Sequence, residues 1–423
     1  MDKSYILIRG GQKLSGEIIL QGSKNSALPI LASCLLCRGI SVIEHCPRIH
    51  DIFMMTAVME QIGCKISWQG HALLVDTRQI TATVLPMEYT GNFRASVLLM
   101  GALLSREGCV SMGKPGGCKI GSRPIDFHLA GFHRLGADVK EKEERYFCQA
   151  KQLSGADICL PFPSVGATEN ILLASVTAKG VTRIFGCAKE PEISDLAKHL
   201  VRMGARINGI GTNEMIIEGV GAECLHTVET RIPADRIAAA TYLIGAAAVK
   251  GDIELLGCGE IERYRSILCV LDQMGAKIWI KDGRIRLKME QQGKGVRLIT
   301  GPHPMVPTDI QSMVLSASLL ASGKTYIEEN IFESRYQVVG ELEKMGGCIC
   351  VEGKRAVVTP VQRLSGCKVN VGDLRGGAAL VIAGMMAEGE TRVESLSYLR
   401  RGYEDIAGDF RRLGAHILEI DNG

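Results

Sequence analysis

Ile62-Gly63-Cys64, Leu135-Gly136-Ala137, Met203-Gly204-Ala205, Met274-Gly275-Ala276, Met345-Gly346-Gly347 and Leu413-Gly414-Ala415 repeat one phrase: a large apolar residue, Gly, then a small residue. A second Gly precedes each phrase, at Gly39, Gly108, Gly180, Gly251, Gly323 and Gly389. Two markers recurring at an interval of about 70 residues indicate copies of one supersecondary unit, here six. Each copy reads alike. An apolar helical run comes first, such as Ala27 to Leu36 or Val314 to Leu320, and the Gly marker is expected to cap it. A short strand follows, as in Ile40-Ser41-Val42-Ile43, Val181-Thr182-Arg183-Ile184 and Thr325-Tyr326-Ile327. A second, amphipathic helix ends at the Leu-Gly-Ala phrase, and another strand leaves it. Alternating elements of this kind predict an α/β fold of repeated units.

The bulk properties set the frame. A chain of 423 residues implies two or three domains. Hydrophobic residues at 46% against 22% charged predict packed cores and exclude disorder. A net charge of +3 is too small to argue for nucleic acid or an acidic membrane surface. The longest mostly apolar stretch, Ile237 to Val249, is Ala-rich and too short to span a bilayer. The opening run Tyr5 to Gly11 reads as a strand and a turn rather than a signal peptide, so a cytoplasmic protein is expected. Among the 15 cysteines, Cys34 and Cys37 form a lone pair with no partner at zinc spacing. Most thiols are therefore expected to be buried small hydrophobes in a reducing compartment, with no metal and no cofactor.

The first helix of each copy opens with Lys24, Arg94, Ser164, Arg236, Asp309 or Arg375. A helix start carries free N–H groups and partial positive charge, so Lys or Arg there is unfavourable unless an anion binds. Any one of them also reads as an ordinary solvated first turn; four basic residues at equivalent positions favour an anion site. The second copy is longer by about one helical turn. Its extra residues fall in Met112-Gly113-Lys114-Pro115-Gly116-Gly117-Cys118-Lys119-Ile120-Gly121-Ser122-Arg123-Pro124. Cations beside Cys118 would make it reactive; the alternative is a surface loop with an idle thiol. Asp309 reads either as a helix-favouring first-turn acid or as a functional carboxylate.

The segment Gly117 to Asp126 closely resembles the cysteine loop of the UDP-N-acetylglucosamine 1-carboxyvinyltransferase family. The resemblance spans essentially the whole chain. It extends to Gly22-Ser23-Lys24-Asn25-Ser26-Ala27, Phe93-Arg94-Ala95-Ser96, Pro163-Ser164-Val165-Gly166-Ala167-Thr168, Pro307-Thr308-Asp309-Ile310-Gln311, Ile331-Phe332-Glu333-Ser334-Arg335, Gly372-Asp373-Leu374-Arg375 and Arg401-Gly402-Tyr403-Glu404. It implies two inside-out α/β barrel domains, each of three pseudo-threefold units. One would span residues 21–230 with the Cys118 loop, the other 1–20 plus 231–423, with the active site in the cleft between them. The implied reaction moves enolpyruvate from phosphoenolpyruvate to the 3-hydroxyl of UDP-N-acetylglucosamine and releases phosphate, opening peptidoglycan synthesis.

The resemblance also implies roles. Cys118 looks like the general acid and Asp309 the base, with Lys24 and Arg401 completing the catalytic set. Lys24, Asn25, Arg123, Arg375, Arg401 and Arg335 look like phosphoenolpyruvate contacts, since a trianion needs several fixed cations. Asn25, Arg94, Arg123, Pro124, Ile125, Asp126, Phe127, Ser164, Val165, Gly166, Asp309 and Ile331 look like UDP-sugar contacts. Fosfomycin, an electrophilic epoxide, is expected to alkylate Cys118. The partners are those two small molecules, with no nucleic acid and no membrane, and the oligomeric state is left open. Three positions depart from the family pattern. Phe162 stands where some members have Lys. Ala238 stands where an acid is expected, beside an extra residue in Ile232 to Thr241, which implies a reshaped helix start. Arg400 stands where an acid is common, which implies extra positive charge beside Arg401. Two rivals remain: the sister enolpyruvyl transferase of the shikimate pathway, which lacks the cysteine loop, and a non-catalytic UDP-sugar-binding paralogue, which would need no general acid.

Overall fold

Each Leu-Gly-Ala phrase is a helix stop made by backbone geometry. All six phrase glycines have positive φ, from 91° at Gly136 to 112° at Gly204. Gly63 N–H donates to Glu60 and Cys64 N–H to Met59; the same two bonds recur in every copy through Gly414 to Arg411 and Ala415 to Phe410. This is the Schellman closure, which satisfies the last carbonyls of the helix and needs a left-handed residue. The structure, a computed structural model, describes residues 4–91, 93–116, 120–121 and 123–421.

The other glycine marker departs from expectation. Only Gly108 is a left-handed cap, closing Leu98–Glu107. Gly180, Gly323 and Gly389 have positive φ but lie in the turn after their helices have ended. Gly39 and Gly251 do not have positive φ. A Cβ there would lie 2.6 Å from Thr227 Cγ2 and 2.7 Å from the Leu14 carbonyl oxygen, so close approach selects Gly at these two.

Among the described residues the chain forms two compact units: 22–116 with 123–233, and 4–21 with 120–121 and 234–421. In the first, the helices Lys24–Ser33, Leu98–Glu107 and Val165–Ser175 form the interior. In the second, Arg236–Ala248, Gln311–Ala317 and Leu374–Met386 do. Every residue from Arg236 to Ala247 and from Arg375 to Met386 is buried. A helix with no polar face has to be interior, which explains the Ala-rich stretches. Sheets lie outside these helices, so each unit is an inside-out α/β barrel, as the resemblance implied.

Five of the six described sheets have four strands in one shared order, and the remaining one, Cys109–Gly113, Arg145–Gln149 and Asp138–Lys142, has the three antiparallel strands alone. In Asp157–Cys159, Val181–Phe185, Glu214–Glu218 and Arg206–Asn208, the first two strands are parallel and the rest antiparallel. Three sheets borrow strands from elsewhere in the chain. Glu229–Arg231 supplies the parallel edge to Ile40–Glu44. Ser15–Ile19 does the same for Asp252–Leu256. Tyr5–Arg9 lies between Glu390–Glu394 and His416–Ile420, completing the sixth sheet that the last copy cannot finish alone. Backbone ladders thus tie the chain's beginning to its end.

Two expectations change here. Seven of the fourteen described cysteines are buried, while Cys159, Cys224, Cys269, Cys348 and Cys350 are exposed, so burial does not account for most of them. The helix start near Ala238 is regular: Asp235 caps it, accepting from Ile237 N–H at 2.8 Å and Ala238 N–H at 3.0 Å. Among the described residues, no helix is long and apolar enough to cross a membrane.

The stops make a graded prediction. At Gly136 a Cβ meets nothing within 4 Å, whereas at Gly204 it would lie 2.5 Å from the Cys224 carbonyl oxygen. Gly136→Ala is expected to lose about 1–2 kcal/mol, the left-handed penalty alone. Gly204→Ala is expected to lose more. Equal shifts in urea midpoint for the two variants would refute the contact argument.

Candidate active site

In the unit that holds residues 234–421, three inner-helix starts meet at one carboxylate. Asp309 lies in the 3-10 turn Thr308–Ile310, which leads into Gln311–Ala317. Arg375 is the second residue of Leu374–Met386, and its Nε donates to Asp309 Oδ1 at 2.8 Å. Arg335 places Nη2 3.6 Å from the same oxygen and Nη1 3.6 Å from Asp373 Oδ1. Asp373 caps the Arg375 helix, accepting from the N–H groups of Arg375 and Gly376 at 3.0 and 3.1 Å. Arg236, first residue of the third helix, adds its field at Asp309. The Arg335 and Arg375 side chains are 4% and 5% exposed, Asp309 28%. Asp309 is therefore the most exposed of these three side chains.

Burial alone would raise the Asp309 carboxyl; Arg375 and Arg335, with the Arg375 hydrogen bond and Arg236 behind them, outweigh it and hold the group well below the usual carboxylate range. The Tyr403 hydroxyl bonds Thr241 Oγ1 at 2.7 Å and accepts from Arg375 Nη1 at 3.5 Å. Arg401 closes the helical turn Leu396–Arg401. Next to it the Gln21 side chain clamps the backbone, donating to the Gly402 carbonyl at 2.9 Å and accepting from Glu404 N–H at 3.0 Å.

This geometry modifies two expectations. The basic helix starts Arg236 and Arg375 do not build bare positive charge, because Asp235, Asp309 and Asp373 stand among them. Arg400 adds little charge beside Arg401, because its Nη2 meets Glu419 Oε1 at 2.6 Å and Asp421 Oδ1 at 3.1 Å. Sequence reasoning missed Gln21 as a clamp and Tyr403 as a partner of Arg375. Asp373 lay inside a matched stretch without an assigned role, although an Asp directly before an apolar helical run is an N-cap signal.

In the other unit, Lys24 begins Lys24–Ser33 behind the cap Ser23, and Asn25 follows it. Lys24 Nζ lies 2.5 Å from Asp51 Oδ2, with side chains 13% and 4% exposed. Asp51, also missed, sits in the first turn of His50–Gln61, where an acid is favoured. Arg94 Nη2 donates to the Pro124 carbonyl at 3.1 Å, joining two of the expected UDP-sugar segments. Arg123 is exposed, Ile125 is buried, and Asp126 and Phe127 open the helix Asp126–Arg134. Ser164 caps Val165–Ser175, so the N–H groups of Val165 and Gly166 lie in that helix's first turn.

His128 was also missed. It is buried, with Nδ1 2.8 Å from Asn170 Nδ2. Asn170 Nδ2 also donates to the Val97 carbonyl, and its Oδ1 accepts from Gly101 N–H, both at 2.8 Å. The amide orientation is thereby fixed, so His128 Nδ1 accepts and Nε2 carries the proton. Burial, with Arg94 and Arg123, pushes its pKa down to about 3. A Cβ on Gly166 would lie 3.1 Å from the ring's Cε1, so the Gly166 backbone packs on the imidazole as few other residues permit. Cys118 lies outside the described residues. Ile331 follows the strand Thr325–Glu328 in the Asp309 unit.

The family described as EPSP synthase (3-phosphoshikimate 1-carboxyvinyltransferase) matches residues 8–410. A relative from Caldanaerobacter subterraneus subsp. tengcongensis, named UDP-N-acetylglucosamine 1-carboxyvinyltransferase 2, is 42% identical over 98% of this chain and 99% of its own. UDP-N-acetylglucosamine 1-carboxyvinyltransferase 1 from Staphylococcus aureus strain N315 is 41% identical over 100% of both chains. Among solved structures, the enolpyruvyl transferase NikO from Streptomyces tendae shares 24% identity with a TM-score of 0.89 over 100% of both chains. EPSP synthase from Acinetobacter baumannii shares 18% with a TM-score of 0.76, covering 99% of this chain and 100% of that one. These structural likenesses speak to fold alone.

The lowered Asp309 pKa fixes a pH dependence. A carboxyl held below its unfolded value adds stability above about pH 4, where the unfolded group ionises, and loses it only as pH falls through the lowered folded value. In ¹³C-carboxyl NMR of aspartate-labelled protein, the signal that Asp309→Asn removes is expected not to titrate between pH 7 and about pH 4. A midpoint inside that window would show that the guanidiniums do not dominate burial.

Proposed function

We propose a reaction for this chain from its family: it belongs to the EPSP synthase (3-phosphoshikimate 1-carboxyvinyltransferase) family of enolpyruvyl transferases, and within it to the UDP-N-acetylglucosamine 1-carboxyvinyltransferases. The protein transfers the enolpyruvyl group of phosphoenolpyruvate to the 3-hydroxyl of UDP-N-acetylglucosamine and releases phosphate, the first committed step of peptidoglycan synthesis. The observation that carries this reading is 41–42% identity, over 98–100% of this chain, to proteins bearing that one name.

The residue roles are our assignment. Lys24, Asn25, Arg123, Arg335, Arg375 and Arg401 hold phosphoenolpyruvate, whose phosphate and carboxylate both suit forked guanidinium contacts. Arg94, the run from Arg123 to Phe127, Ser164, Val165, Gly166 and Ile331 hold the UDP-sugar. The N–H groups at the start of Val165–Ser175 suit a diphosphate. In the addition step the sugar oxygen bonds to C2 of phosphoenolpyruvate, the Cys118 thiol protonates C3, and Asp309 receives the hydroxyl proton. In the elimination step C3 gives a proton back to the Cys118 thiolate, the C2–O bond to phosphate breaks with its electron pair leaving on phosphate, and the enol ether forms.

Asp309 paired to Arg375 is a poor base. Phosphoenolpyruvate brings negative charge to the same guanidiniums, which weakens their hold on the carboxylate and raises its proton affinity as substrate binds. We place the reaction in the cytoplasm, where a thiol such as Cys118 stays reduced.

The test is phosphate release from purified protein with phosphoenolpyruvate and UDP-N-acetylglucosamine. Release is expected only with both present, and not when shikimate 3-phosphate replaces the sugar nucleotide. Cys118→Ala is expected to abolish it. Fosfomycin is expected to stop turnover, with its mass found on the peptide carrying Cys118. Release no greater than that of Cys118→Ala would refute the assignment.

A further inference from the structure

Glu329 directly follows the strand Thr325–Glu328, two residues before Ile331, and is 2% exposed. A carboxylate so buried requires partners, and it has them on both oxygens. Oε1 accepts from the N–H groups of Ile331 at 2.8 Å and Phe332 at 3.1 Å. Oε2 accepts from Thr308 Oγ1 at 2.9 Å. That threonine hydroxyl accepts in turn from Arg335 Nε at 3.2 Å, and the Thr308 carbonyl accepts from the same nitrogen at 3.3 Å. Arg335 stands 5.5 Å from the centre of the Phe332 ring. Two contacts of Arg335, the Thr308 hydroxyl and the Phe332 ring, are therefore each tied by a hydrogen bond to one buried carboxylate. Thr308 also immediately precedes Asp309.

We propose that Glu329 is a positioning residue for the transfer reaction. It aims Arg335 through Thr308 and Phe332, and so fixes the charge presented to Asp309 and to phosphoenolpyruvate, without touching either substrate. The Thr308 hydroxyl has one proton. With a carboxylate beside it, that proton points to Glu329 and a lone pair is left for Arg335. With a neutral amide beside it, the hydroxyl accepts from the amide, and its proton competes for the space the guanidinium uses. The inference rests on the reading of Arg335 and Asp309 given above.

Glu329→Gln separates positioning from mere support. Its Oε1 still receives Ile331 and Phe332, so the turn that carries Ile331 is kept. Its NH₂ group replaces the acceptor facing Thr308. We expect kcat/KM for phosphoenolpyruvate to fall about tenfold or more, as when a hydrogen bond to a charged group is lost. The KM for UDP-N-acetylglucosamine is expected to stay within about twofold, since its hydrogen-bonded turn is intact. Thr308→Val removes only the bridge and is expected to give the same split, so the test survives poor folding of the first variant. The double variant is expected to be no worse than the weaker single, because both break one chain.

Wild-type kinetics in folded Thr308→Val, or a thermal shift in Glu329→Gln with unchanged kinetics, would overturn the proposal. A double variant whose loss is the product of the singles would do the same. Failure of the wild-type protein to release phosphate would instead strike the reaction assignment, so the two failures are distinguishable.

Discussion

The meeting of buried guanidiniums with a few carboxylates at the inner-helix starts constrains everything else in the Asp309 unit. Arg335 and Arg375 are almost wholly removed from water. An isolated charge in such a place costs several kcal/mol, and breaking a buried pair by removing one partner costs about 3–5 kcal/mol. Asp309 and Asp373 supply the opposite charge, and Asp373 simultaneously satisfies two N–H groups of its helix. One side chain thus meets the needs of a helix end and of a guanidinium. The inner helices then have no freedom to rotate or slide without separating charge.

The repeat was legible because its signal is conformational rather than chemical. A Schellman closure demands a left-handed residue, and only Gly adopts it without penalty, so six stops leave six glycines. The second glycine series misled as to mechanism. A glycine selected by a neighbour's proximity, such as Gly39 beneath Thr227, is indistinguishable in sequence from one selected by φ. The inner helices were legible for a similar reason, since a run without a polar side has one place to go. Strand exchange was less so. That Tyr5–Arg9 enters a sheet begun at Lys368, between Glu390–Glu394 and His416–Ile420, depends on which position is vacant, and vacancy is a property of the folded unit.

Residues with chemistry were legible, and their partners were not. Lys24, Arg335, Arg375 and Asp309 stood out by type and position at helix starts or in matched stretches. Asp51, Gln21, Tyr403 and Glu329 are ordinary residues in ordinary contexts, and each acquires meaning from a segment distant in sequence or from a turn not visible in it. Arg400 shows the error that follows. Read locally it doubles the charge of Arg401; read with Glu419 and Asp421, which a neighbouring strand brings up, its charge is offset by two surface carboxylates. His128 is the reverse case, a histidine whose neighbours Arg94 and Arg123 and whose burial remove its charge and leave it a fixed neutral donor.

The same cluster that anchors the fold also bears on how a weak base does its work. A carboxylate with two guanidiniums is stable because its proton affinity is low, and a base is useful because its proton affinity is high. A rigid site cannot satisfy both conditions, but a shared cation can. Under the roles proposed above, the arriving anion competes for the cations that hold Asp309, so binding energy released on one side would appear as basicity on the other. This requires the guanidiniums to remain where they are while their partners change. Residues that hold Arg375 and Arg335 from behind, Tyr403 on one and Thr308 with Phe332 on the other, do that without carrying charge themselves. Asp373 also stays paired with Arg335, at 3.6 Å, so part of that cation's charge remains neutralised when an anion arrives, and the larger change at Asp309 has to come through Arg375, which the neutral Tyr403 hydroxyl backs.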